Sequence, residues 1–142
     1  MEFKFNDGGR KANGYKGQTG DCAVRAIAIV SGKSYKEIYD EINLLGEQER
    51  IGRRKRTKSN ARTGVYHATL RKYMMSIGFK WVACMGIGTG CKVHLKADEL
   101  PSGKILARVS KHFTAVVDGV INDIYDCSRE ETRCVYGYYV KE

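Results

Sequence analysis

Helical periodicity in the first half of the chain, two-residue alternation in the second, and an Asp-Gly turn between two apolar runs predict an α+β fold. Helices come first and antiparallel strands second, so the expectation is N-terminal helices packed on a C-terminal antiparallel sheet. The 142 residues match one domain, 1–142, and the 42% apolar content is enough for one core without disulfide or metal staples.

Each element has its own signal. The first twenty residues, rich in Gly, Asn, Asp and Lys, read as an extended, turn-rich lead-in. A helix begins near Asp21, where Ala23, Ala26, Ile27 and Val30 follow the spacing of one buried face, and Gly32 ends it. Ser34-Tyr35-Lys36-Glu37 is a capping box for a second helix, which buries Tyr35, Ile38, Ile42 and Leu45 and stops at Gly46. Residues 50–62 are polar and aperiodic, and read as a loop. A third helix spans about Val65 to Ile77, with Leu70, Tyr73, Met74 and Ile77 inward and Gly78 as its stop.

After Gly78 the period becomes two. Phe79 to Met85 and Lys104 to Val109 read as strands, separated by the glycine loop Gly86-Ile87-Gly88-Thr89-Gly90. His112 to Val117, Asp118-Gly119 and Val120 to Tyr125 form a hairpin with a type I′ turn. Val135 to Val140 supplies a last strand.

The charge is concentrated. Net charge is +9, and Arg50, Arg53, Arg54, Lys55, Arg56, Lys58 and Arg62 supply most of it from a stretch without an acid. Such a run is a solvated loop, or it docks nucleic acid by counterion release or an acidic protein partner. Without an aromatic residue for stacking, it does not read bases. No run is long and apolar enough for a membrane helix, and the N-terminus lacks an apolar signal region, so a cytoplasmic protein is expected. In that compartment the five cysteines, Cys22, Cys84, Cys91, Cys127 and Cys134, are expected as reduced thiols.

Cys22 differs from the others by position. It opens the first helix after Gly20-Asp21, where the helix dipole favours thiolate. Gln18, four residues upstream, stands close enough to offer its amide to an oxyanion beside the sulfur. The alternative is a cysteine packed as a small apolar side chain.

The hairpin supplies a base. With Asp118-Gly119 as the loop, Val117 pairs with Val120, Val116 with Ile121, Ala115 with Asn122 and Thr114 with Asp123. His112, Thr114 and Val116 then share a face with Ile121, Asp123 and Tyr125, and Asp123 lies diagonally beside His112. A carboxylate there fixes the tautomer of the imidazole and supports its charged form. A surface His beside a surface Asp is the other reading.

Gln18, Gly20-Asp21-Cys22 opening a helix, a late strand starting at His112, and Asp123 on the next strand together resemble the papain-like fold. The likeness is to its minimal bacterial members, such as the peptidases that trim bacteriocin leaders. The chain is also similar to a group of phage and bacterial proteins in which GDCAVRAIAI, CKVHLKADELPSGKILARVSKHFTAVVDGVI and TRCVYGYY recur in this order. The papain-like resemblance implies Cys22 as nucleophile, His112 as general base and then acid, Asp123 as the group orienting it, and Gln18 with the Cys22 N–H as oxyanion donors. It implies a hydrolase of amide, peptide or isopeptide bonds with a peptide or protein substrate and no cofactor. Two readings rival it: an inactive papain-like protein that binds through the basic loop, and a nucleic-acid-binding accessory protein.

Other patterns carry less. No CxxC is present, and only Cys91-x-x-His94 has zinc-like spacing, so no metal is expected. The glycine loop lacks the Lys-Ser/Thr of a phosphate loop and reads as flexible or as one wall of the cleft. His67 reads as a packed or surface histidine.

Overall fold

The computed structural model describes residues 1–16, 20–53, 57–86 and 88–142. Gln18, Arg54, Lys55 and Arg56 therefore lie outside the described residues. The class is α+β: α1 (Cys22–Ser31), α2 (Tyr35–Glu47) and α3 (His67–Ser76) accompany six strands, β1 (Phe3–Phe5), β2 (Phe79–Ala83), β3 (Lys104–Val109), β4 (His112–Val117), β5 (Val120–Asp123) and β6 (Gly137–Lys141). They form one sheet in the order β1-β5-β4-β3-β6-β2. Among the described residues, no helix is long and apolar enough to cross a membrane.

The sheet is mixed, which corrects the antiparallel expectation. The lead-in contributes β1, which pairs in parallel with β5, Phe3 opposite Ile121 and Phe5 opposite Asp123. Three residues are too short to declare a period of two, and all three are exposed, so alternation left no trace in the sequence.

The sheet separates two cores. On one face Leu106, Ala115 and Tyr139 meet Val24, Ile27, Ile38, Leu70 and Met74 from the helices. On the other face Ile105, Val116 and Ile121 meet Leu95, Cys127 and Val135 from the connecting segments. α1 is buried nearly all round, from Ala23 to Ala28, which suits its run of small and branched apolar residues.

α1 ends at Gly32, whose φ of 76° puts it in the left-handed conformation that glycine adopts without strain. α2 starts as expected, with the Glu37 N–H donating to Ser34 Oγ at 3.1 Å. It does not stop at Gly46. The helix runs on to Glu47, and Gly46 serves a packing purpose instead. A Cβ there would lie 1.9 Å from the Ser59 carbonyl oxygen. The glycine admits the backbone of the following loop.

That contact folds the second half of the basic stretch. Ser59 and Ala61 are buried, the Ala61 N–H donates to Asn43 Oδ1 at 2.8 Å, and Asn60 and Gly64 form an antiparallel bridge. Arg50, Arg53, Lys58 and Arg62 are exposed around it.

The expectation of five reduced thiols is corrected as well. Cys91 and Cys134 form a disulfide, with Cα atoms 5.8 Å apart, and Cys22, Cys84 and Cys127 are free. The Val135 N–H donates to the Val93 carbonyl and the Leu95 N–H to the Arg133 carbonyl, both at 2.8 Å, which lays the two segments side by side. The partners are 43 residues apart and in no spacing motif, so only tertiary pairing reveals them.

Candidate active site

α1 begins with an inverted cap. Asp21 occupies the N-cap position, yet its side chain caps no N–H of the first turn. It turns into the interior, where Oδ1 accepts from Arg25 Nη1 and Oδ2 accepts from the Tyr35 hydroxyl at 2.5 Å. Arg10 Nε lies 3.0 Å from the same Oδ2. The carboxylate is 1% exposed, and these two cations are what make burial of its charge tolerable. The first turn is thereby pinned, with Cys22 at its start.

The hairpin presents the opposing group. Asp118 and Gly119 take φ values of 48° and 78°, as a type I′ turn requires, and the register is the expected one: Val117 opposite Val120, Val116 opposite Ile121, Ala115 opposite Asn122. Asp123 Oδ2 lies 2.7 Å from His112 Nε2 and accepts from Thr114 Oγ1 at 2.8 Å, while Oδ1 accepts from the Ile124 N–H at 2.7 Å. Arg25 Nη2 stands 3.7 Å from Oδ1, so one guanidinium serves both buried carboxylates.

His112 shares the parity of Thr114 and Val116. As the first residue of β4 it stands at the end of the sheet, where the N-terminus of α1 also arrives. Nε2 is committed to Asp123, and the Cys127 and Cys22 sulfurs also act on the ring. His112 and Cys22 line one cleft of about 330 Å³, together with Thr63, Gly64, Val65, Arg108 and Lys111.

The charges follow from this packing. Burial alone would lower the His112 imidazole, but Asp123, with the sulfurs of Cys127 and Cys22, outweighs it and pushes the group up to about 11. Burial alone would raise the Cys22 thiol. The hydrogen bond and charge of His112, the Phe113 N–H and the charge of Arg25 outweigh that, and the thiol falls below its ordinary 9.0. Burial would also raise Asp123, but His112, the Ile124 N–H and Thr114 hold its carboxyl below the usual value. A thiolate beside an imidazolium backed by a carboxylate is able to attack a carbonyl and then protonate a leaving group.

Several site residues lay beyond sequence reasoning. Arg25 carried a signal, an arginine inside the apolar run of α1 and four residues after Asp21. Tyr35 was read as core, and it is, with its hydroxyl on Asp21. Cys127 is buried with its sulfur 3.8 Å from Asp123 Oδ2, and no spacing in the sequence points to it. His67 lines the cleft, its Nε2 3.1 Å from the Tyr139 hydroxyl and its ring edge-on to Trp81.

His112, Asp123 and Cys127 each bring one metal-capable atom within 4.8 Å of the others. Those atoms are already engaged with one another, so the group reads as a hydrogen-bonded cluster. Cys91 is tied to Cys134, and His94 Nδ1 meets Glu99 Oε1 at 3.2 Å, so the Cys91-x-x-His94 spacing does not assemble a pair of free ligands. Among the described residues of the glycine loop, none lines this cleft, whose lining includes residues 63–65.

No family model, no curated protein and no solved structure matches this chain.

Proposed function

We propose that this protein is a papain-like cysteine hydrolase that cleaves an amide, peptide or isopeptide bond through Cys22, His112 and Asp123. The observation that carries the reading is His112, 2.7 Å from the Asp123 carboxylate and lining one cleft with Cys22, whose thiol it lowers. Burial, charge pairing and a cleft meeting at one group are the usual marks of a chemical site.

The Cys22 thiolate attacks the carbonyl carbon, forming a C–S bond and placing the electron pair on the carbonyl oxygen. In this reading the Cys22 backbone N–H and the Gln18 amide receive that oxyanion. The imidazolium of His112 gives its proton to the leaving nitrogen as the C–N bond breaks. Neutral His112 then takes a proton from water, whose oxygen attacks the thioester and returns Cys22. Asp123 keeps the ring oriented and supports its charged form throughout. The exposed cations Arg50, Arg53, Lys58 and Arg62 give the protein a surface for an acidic partner segment.

Covalent trapping tests this. Intact-mass analysis during exposure to p-nitrophenyl acetate is expected to find one acetyl group per chain, on Cys22, that forms quickly and is then hydrolysed. Cys22→Ser should abolish it and His112→Ala should slow it. Acetylation spread over several thiols, or unchanged in His112→Ala, contradicts the proposal.

A further inference from the structure

The buried side and the open side of Cys22 differ in charge. Behind it, Asp21 and Asp123 are neutralised by Arg10, Arg25 and His112. In front, the cleft carries Arg108 and Lys111, and no Asp or Glu is among its described lining residues. The adjoining depression, which shares Thr63, Gly64 and Val65, adds Lys58 and again no acid.

Arg108 is held in place. The Arg108 guanidinium lies over the Tyr136 ring, 5.8 Å from its centroid. Lys111 sits in the tight β3–β4 turn at φ 56°. Burial, and then the charges of Arg108 and Arg71, keep the His67 imidazole below its ordinary range, which favours its neutral form.

We infer that the cleft selects acidic peptide segments, with Arg108 and Lys111 as specificity-determining residues that receive a carboxylate side chain beside the scissile bond. The inference rests on the assignment of Cys22 as nucleophile. A carboxylate entering here meets Arg108 and Lys111, the Cys22–His112 pair being neutral overall.

Iodoacetate and iodoacetamide test this on the intact protein, because they alkylate the same sulfur by the same displacement and differ by one carboxylate. The rate ratio of iodoacetate to iodoacetamide at Cys22 is expected to exceed that of 2-mercaptoethanol and to fall as salt is raised. Arg108→Gln and Lys111→Asn should each lower the ratio by about threefold. Asparagine is chosen because it tolerates the positive φ of position 111. A blocked tetrapeptide with two glutamates should protect Cys22 at lower concentration than its glutamine counterpart. A salt-insensitive ratio equal to that of the free thiol overturns the inference, as does equal protection by the two peptides. Because the His112 imidazolium alone raises the wild-type ratio, an unchanged ratio in folded Arg108→Gln and Lys111→Asn overturns the inference as well. Failure of the nucleophile assignment shows separately, as Cys22 reactivity that ignores His112→Ala.

Discussion

His112 Nε2 and Asp123 Oδ2 lie 2.7 Å apart across a hairpin whose two-residue turn sets their register. The carboxylate has no freedom to swing away, since Thr114 and the Ile124 N–H hold its two oxygens. Asp123→Ala is expected to slow acylation of Cys22 by p-nitrophenyl acetate by about 10²-fold, the scale of losing effective acid–base function. Asp123→Asn retains an acceptor for the ring without the negative charge, and should fall between alanine and wild type. Equal rates in all three proteins would mean the pair has no part in the chemistry.

Arg25 joins the two halves of the site, α1 and the hairpin, through Asp21 and Asp123. Arg25→Met keeps the apolar stem but leaves Asp123 without its guanidinium and Asp21 with Arg10 alone. Loss of one partner from a buried ionic group costs about 3–5 kcal/mol. Thermal unfolding should show a fall in Tm on the order of 10 °C. A variant as stable as wild type would contradict the role given to this residue.

The hairpin was legible because every signal for it is local: period-two alternation, Asp-Gly, and a turn that dictates which residues face each other. From that register alone Asp123 falls beside His112. Cys22 at the head of a helix was legible for the same reason. What escaped reading depends on distant chain. β1 exists only because β5 offers an edge, the Cys91–Cys134 bridge joins segments 43 residues apart, and Cys127 reaches the site along an irregular connection. Gly46 misled because glycine ends helices by adopting positive φ, whereas here it is needed for its missing Cβ.

That last point is measurable. Alanine is intrinsically the better helix former by about 0.8–1.0 kcal/mol. Gly46→Ala should nevertheless destabilise the protein by about 1–3 kcal/mol in urea unfolding, because the new methyl meets the Ser59 carbonyl. Residues 63–65 follow in the same folded turn and wall the cleft, so acylation of Cys22 should also slow. A gain in stability would show that the loop does not pack there.

The central claim is a thiolate–imidazolium pair between Cys22 and His112, and the pH dependence of Cys22 alkylation by iodoacetamide tests it most directly, with mass mapping to separate Cys22 from the other cysteines. Deprotonated sulfur is the reactive form, so a lowered thiol value means reactivity that appears at lower pH than for an ordinary thiol. Wild type is expected to titrate below 9.0. In His112→Ala burial faces only the Phe113 N–H and Arg25, and the midpoint should move up toward or past that value. Cys22 that is inert, or that titrates identically in both proteins, would contradict the pair and the hydrolase built on it.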